Sequence, residues 1–362
     1  MRLIQDLSNF LPVFLESTQV FLVKGVYKMK LNKYSGNPVL SPNPANKWED
    51  LCVLNPGVIY DEVNKKFIML YRAAGNDREH YIYLGLASSD DGVNFTRCQD
   101  TPVLSPAPDN CDSGCVEDPR IVKMGDYYYI TYASRAYAPG QYWRDDKLVI
   151  GDRPKEAPHF IQANNTLTHL CMTKDFKNYK KLGRITDSRL DDRDVIIFPE
   201  KIGGKYVRLS RPMQWCGRGF PNKNPAIWLS FSDDMLEWDR PSLLMQGEQP
   251  WENMKIGGGC PPVRTDKGWL FIYHGVSAED GVYRAGAVML DLENPAEITG
   301  RTKEFIMEPE YDFEINGCYA GCVFPTANAV KDNVLYVYYG AADKYVCVAT
   351  AVFDQFIEDL MM

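Results

Sequence analysis

The chain has 362 residues, 45% of them hydrophobic and 24% charged, enough to bury one large core or two ordinary ones in the manner of a globular protein. Its net charge of −8 argues against a sequence-independent nucleic-acid surface, though not against a local basic pocket. Cysteines fall singly or as Cys111-x3-Cys115 and Cys318-x3-Cys322, with no CxxC pair and no zinc spacing to His80, His159, His169 or His274. The sequence therefore predicts reduced, mostly buried thiols, a cytoplasmic protein and no metal site.

Residues 1–32 read as an N-terminal arm. The stretch "FLPVFLESTQVFLVKGVYK" is apolar but is broken by Glu16 and Lys24, too short to span a bilayer and followed by no cleavage site. It is either an amphipathic arm or an upstream extension, with Met29 as the working start. Folded-protein patterning begins at "KLNKYSGNPVLSP". The domain is expected over 33–354, with 355–362 as a C-terminal tail.

Five segments then repeat one pattern of proline, short apolar strand, turn and aromatic-rich strand. They are "NPGVIYDEVNKKFIMLYRA", "DPRIVKMGDYYYITYAS", "FPEKIGGKYVRLSRP", "PPVRTDKGWLFIYHG" and "FPTANAVKDNVLYVYYG". Their prolines, Pro56, Pro119, Pro199, Pro262 and Pro325, are spaced by 63, 80, 63 and 63 residues, and the long interval carries an insertion at about 137–166. A third strand follows each pair, and a fourth follows in the first four repeats ("TPVL", "GRIT", "SLLM", "EFIM"). The fifth repeat lacks its fourth strand, and "NPVL", 37–40, precedes the first. This permutation predicts an all-β fold, a five-bladed β-propeller with an N-terminal strand closing the last blade.

In a propeller, repeat phase becomes proximity at the axis. The position ending the second strand holds Arg72, Ala133, Arg211, His274 and Gly340; the position before each proline holds Asn55, Asp118, Phe198, Pro261 and Phe324. Asp118, beside Glu117 in "GCVEDPRIV", is expected to face the axis as a general acid, its pKa raised by partial burial and a neighbouring carboxylate. Glu117 is expected on the other face of the strand or at the rim, and is kept as a substrate-binding candidate. Arg193, Arg211, Lys255 and His274 gather around the same axis, and "GGG" after Lys255 suits close backbone approach. Such donors fit an oxyanion such as phosphate. An inverting glycosidase needs an acid and a base, but anionic phosphate as nucleophile needs no base. One acid opposite one anion site thus points to phosphorolysis, with inorganic phosphate as co-substrate and no cofactor.

The motifs "EDPRI", "FPEKIGGKY", "KIGGG", "IYHGV" and "YYGAAD" together resemble glycoside hydrolase family 130, the β-mannoside phosphorylases, from about residue 33 to 352. The resemblance implies a five-bladed propeller, with Asp118 as the acid that passes its proton through the mannose 3-hydroxyl. It implies Arg193, Arg211, Lys255 and His274 as phosphate ligands, and Asn55, Arg72, Arg78 and Asp343 as mannose-binding positions. It further implies a β-mannoside substrate, α-mannose 1-phosphate as product and a homo-oligomer. The chain departs from the family at Ser210, where many relatives have histidine, and in the 137–166 insertion, which leaves open the acceptor sugar and a β-1,4 or β-1,2 linkage. A β-mannosidase on the same fold is the alternative, disfavoured by the intact basic set. Asn55 in place of an aspartate argues against arabinanase-type propellers, and unlike residues (Arg, Ala, Arg, His, Gly) at the five equivalent positions argue against a lectin.

Overall fold

The computed structural model describes residues 29–107, 112–141, 143 and 156–362. It is built almost wholly of antiparallel strands arranged as five blades. Blade one comprises Cys52–Asp61, Lys66–Ala74, Ile82–Ser89 and Thr96–Arg97; blade two Cys115–Met124, Tyr127–Arg135, Leu167–Thr173 and Tyr179–Arg184. Blade three comprises Asp192–Ile197, Tyr206–Pro212, Ile227–Ser232 and Ser242–Met245. In blade four Lys255–Gly258 and Val263–Arg264 pair with Trp269–Val276, followed by Tyr283–Leu290 and Ile298–Arg301. Blade five is Val323–Lys331, Val334–Ala341 and Tyr345–Val352, completed by the N-terminal strand Asn32–Lys33.

Ring closure follows the permutation read from the sequence. Asn32 and Lys33 pair with Thr350 and Ala349, and Leu40 of "NPVL" bridges Val346. Leu104 of "TPVL" bridges Leu84 and Met307 of "EFIM" bridges Ala285 in the same way. All three side chains are buried, so each fourth strand contributes one apolar plug between blades. The aromatic-rich second strands alternate faces and fill the spaces between blades: Tyr71 and Tyr338 in one, Tyr273 and Trp269 in another, Tyr132 in a third. The contact between blades two and three is partly polar: Asp192, Arg208 and Thr168 are buried beside a small apolar cluster, and Thr168 Oγ1 donates to the Asp192 carbonyl (3.0 Å).

The domain limits differ from those expected at both ends. Leu31 is buried and its N–H donates to the Ile306 carbonyl (3.0 Å), so the folded body begins within the segment assigned to the arm. The C-terminal residues are not a loose tail: Phe353–Met361 is a helix that buries Phe356, Ile357 and Leu360 against blades four and five. The rest of the arm, 1–28, lies outside the described residues, as does Cys111. The other nine cysteines form no disulfide, and six of them are buried. Among the described residues no helix is long and apolar enough to cross a membrane.

Of the insertion, 142 and 144–155 lie outside the described residues. Its two ends are pinned by Asn164, which accepts from the Tyr137 N–H and donates to the Tyr137 carbonyl (both 3.0 Å). Gly140 donates to the Glu79 carbonyl and Gln141 to the Asp77 carbonyl, so this end of the insertion leans on the blade-one loop.

Candidate active site

The innermost strands of blades one, two and three each carry a β-bulge at the same place, between Leu54 and Gly57, between Glu117 and Arg120, and between Arg193 and Ile196. The bulged residues are Asn55, Asp118 and Asp194, with φ of 43°, 53° and 59°. Asparagine and aspartate are the side chains that best tolerate this left-handed region. A bulge also re-aims side chains that would otherwise alternate across the strand. Glu117 and Asp118, although adjacent, therefore both line the central cavity; of the two placements expected for Glu117, the opposite face of the strand is not the one adopted.

Strand pairing fixes which residues are equivalent. Leu54, Glu117, Arg193, Gly257 and Phe324 stand opposite Arg72, Ala133, Arg211, His274 and Gly340. The second-strand set read from the sequence is thus correct. The first-strand set is not: Asn55 and Asp118 match Asp194, where the proline phase suggested Phe198, and Gly258 and Pro325 replace Pro261 and Phe324 in that role. Pro119 directly follows the bulge in blade two, but Pro199 lies beyond the end of its strand, Asp192–Ile197, so aligning the prolines displaced blade three. The site residue missed by this route is Asp194.

A cavity of about 310 Å³ opens at this end of the axis. It is lined by nine of the ten expected residues: Asn55, Arg72, Glu117, Asp118, Arg193, Arg211, Lys255, His274 and Asp343. Arg78 is not among them; it lies exposed on the loop after blade one's second strand. Ser210 is also absent from the lining. It is buried with its hydroxyl unpartnered, on the face of the strand opposite Arg211. Phe324, one of the axial positions read from the repeats, also lines it; residues not anticipated include Arg135, Tyr283 and Tyr319.

On one side, Asp118 Oδ1 accepts from Asn55 Nδ2 (2.9 Å) and from an Arg72 guanidinium nitrogen (3.0 Å). The same nitrogen lies 3.0 Å from Glu117 Oε2. The adjacent carboxylates thus share one arginine, and the sequence argument from mutual repulsion omitted that counter-charge. Arg120 does not pair with the Asp118 carboxylate; it donates to the Asp118 main-chain carbonyl (2.8 Å). It then crosses the axis to the carbonyls of Gly259 (3.3 Å) and Gly258 (3.5 Å).

On the other side lie the basic groups. Arg193 is gripped by Asp191 through two hydrogen bonds of 2.9 and 2.7 Å. Arg211 pairs with Asp194, whose Oδ2 is 3.7 Å from His274 Nε2. Burial and the nearby Arg211 and Arg193 pull the Lys255 ammonium down to about 8, against the opposing charge of Asp194. Burial pushes His274 down to about 3, so it is a neutral imidazole at pH 7. Both of its ring nitrogens, and Nε of Arg211, are buried without a hydrogen-bond partner. Such orphans are costly in a finished interior and mark a place for a polar ligand.

The glycines serve packing. A Cβ on Gly257 would stand 2.5 Å from both Asp194 Oδ2 and His274 Cε1, and one on Gly340 would stand 1.9 Å from Asn55 Oδ1. The bare positions give these side chains their room. The "GGG" amides were expected to approach a ligand, but Gly258 and Gly259 are buried and hold Arg120 through their carbonyls.

Residues 29–147 and 161–361 match a family model described as beta-1,4-mannooligosaccharide phosphorylase. The chain is 38% identical over 327 residues, 89% of its length and 97% of the relative's, to a 1,2-beta-oligomannan phosphorylase of Thermoanaerobacter sp. (strain X514). It is 28% identical over 338 residues, 90% of its length and 89% of the relative's, to a beta-1,4-mannooligosaccharide phosphorylase of Ruminococcus albus. Its fold superposes on the beta-1,2-mannobiose phosphorylase of Listeria innocua, solved with beta-1,2-mannobiose, at a TM-score of 0.73 and 26% identity, covering 92% of this chain and 99% of that one. With a match along nearly the whole propeller, the chain belongs to glycoside hydrolase family 130 and is a glycoside phosphorylase.

Proposed function

We propose that the enzyme carries out reversible, inverting phosphorolysis of a β-1,2-linked oligomannoside, giving α-mannose 1-phosphate and a mannoside shortened by one unit. The observation that carries this reading is the pair of facing walls in one cavity. Asp118, whose Oδ1 takes the bonds from Asn55 and Arg72 while no hydrogen bond to its Oδ2 is seen among the described residues, faces a basic wall in which His274 and Arg211 keep buried donors unpartnered. Phosphate fits the basic wall and takes those donors, with Arg193 supplying planar donors and Lys255 a point charge. Asp118 passes the proton to the leaving oxygen, by way of the mannose 3-hydroxyl. Asn55, Arg72, Glu117 and Asp343 hold the mannose between the walls. Holding the nucleophile in place and spreading its charge supplies much of the rate. The β-1,2 linkage rests on the higher identity to the 1,2-beta-oligomannan phosphorylase.

The test is synthesis run in reverse. The protein is given α-mannose 1-phosphate with mannose, β-1,2- and β-1,4-mannosides, glucose or N-acetylglucosamine, and released phosphate is followed. Release dependent on a β-1,2-mannoside supports the proposal; release with another acceptor corrects the substrate. Phosphate-independent cleavage of β-mannosides, with no release in synthesis, overturns it in favour of a hydrolase.

Lys255 gives the reaction a pH signature. Its ammonium is the form that binds phosphate, and that form is lost as pH rises through about 8. The KM for phosphate is therefore expected to climb above pH 8, approaching about tenfold per unit by proton linkage, while the KM for the mannoside stays nearly flat. Initial rates between pH 6.5 and 9.5 check this, and Lys255→Arg should abolish the climb. A phosphate KM that stays level to pH 9.5 in the wild type removes Lys255 from the phosphate set.

A further inference from the structure

An anion site built around an anion needs a reason. The Asp194 side chain is only 2% exposed and lines the cavity among Arg211, His274 and Arg120. Burial alone would raise its pKa, but the guanidinium groups of Arg211, Arg120 and Arg193 together hold it below the ordinary carboxylate range. It is a carboxylate at any pH at which the enzyme works, and an ionised carboxylate only accepts hydrogen bonds. A fully deprotonated oxyanion against it would meet lone pairs with lone pairs in a buried place where water screens little. If Asp194 served only to steady Arg211, a neutral acceptor such as the Asn55 amide in the equivalent bulge would serve without that repulsion.

Inorganic phosphate near neutral pH is largely hydrogenphosphate, a dianion with three bare oxygens and one P–OH. We propose that Asp194 accepts the hydrogen bond of this P–OH, so that the site selects a protonated tetrahedral oxyanion over an unprotonated one of equal charge. This rests on the phosphorolytic reading and makes Asp194 its anion-specificity residue. The proton has a further use. Parked at Asp194, it leaves a bare oxygen free to face the anomeric carbon. That oxygen forms the new C–O bond as the glycosidic C–O bond breaks. The leaving oxygen keeps the electron pair and takes the proton relayed from Asp118. The P–OH proton stays on the phosphoryl group, so the product departs as the mannose 1-phosphate monoanion and Asp194 is unchanged.

Sulfate and monofluorophosphate carry the same charge as hydrogenphosphate without its proton, and hydrogenarsenate carries the proton on a different central atom. With wild-type enzyme, arsenate is expected to replace phosphate in turnover. Sulfate and monofluorophosphate should compete at least about 30-fold more weakly than phosphate binds, the loss of one charge-assisted hydrogen bond. In Asp194→Asn, whose amide donates where the carboxylate accepted, phosphate should weaken and sulfate tighten, narrowing their ratio by about tenfold or more. Asparagine tolerates the left-handed backbone at this position. Sulfate competing with wild-type enzyme as tightly as phosphate overturns the proposal, as does an unchanged ratio in folded Asp194→Asn. Should that variant not fold, the wild-type sulfate and monofluorophosphate constants decide by themselves. Absence of any phosphate-dependent turnover is a different failure, which removes the phosphorylase reading and this proposal with it.

Discussion

Asp118→Asn is expected to lower turnover by about three to four orders of magnitude, the upper range for loss of a general acid, while leaving the fold intact. The structure explains why the two effects separate. Both protein donors to Asp118, from Asn55 and from Arg72, converge on Oδ1. An asparagine keeps an oxygen there and so keeps both bonds. Its amide nitrogen takes the place of Oδ2, which no donor among the described residues engages and from which the proton would leave. Asparagine is also at home at a φ of 53°. The expected result is a Tm within a few degrees of wild type and a near-zero rate in both directions. An aryl β-mannoside with an acidic leaving group needs little protonation and should recover much of the loss. Turnover of the natural substrate within tenfold of wild type would remove Asp118 from the acid role.

The fold was legible because the repeats announce themselves in residues that packing requires. Aromatic second strands and the terminal plugs Leu40, Leu104 and Met307 must recur wherever blades meet, and only a ring accounts for "NPVL" displaced to the N-terminus. The second-strand positions were legible for the same reason, since pairing is regular there. The first strands broke the reading. The residue that follows the bulge is Pro56 in blade one and Pro119 in blade two but Val195 in blade three, so the phase taken from Pro199 passed over Asp194. The signal that would have found it is the polar triple "DRD" placed directly opposite Arg211. Glu117 was misplaced by the same bulge, because strict alternation fails where the backbone turns left-handed. Arg78, carried over from the family resemblance and not from the repeats, belongs to an irregular loop, whose course varies more between relatives than that of the strands.

Arg211→Ala should damage phosphate use and stability together, and a second substitution should separate the two. Arg211 pairs with Asp194 where neither side chain is more than 4% exposed. Removing one partner of such a buried pair strands the other's charge, at a cost of about 3–5 kcal/mol. A Tm lower by roughly 4–7 °C is expected in a domain of this size. Phosphate KM should rise about 100-fold or more, with the mannoside KM changed far less, because Arg211 touches the wall opposite Asp118. In Arg211→Ala with Asp194→Asn the stranded carboxylate is gone, so most of the lost Tm should return while phosphate use does not. The two substitutions share one partner, so their effects on stability should be strongly non-additive. Thermal unfolding and phosphate saturation curves on the four proteins of this cycle provide the check. Equal rises in the phosphate and mannoside KM in Arg211→Ala would take Arg211 out of the phosphate wall. Additive losses of Tm would show that the Arg211–Asp194 pair contributes nothing as a pair, and that the basic wall is held by Asp191, Arg120 and the glycine-lined strand of blade four instead.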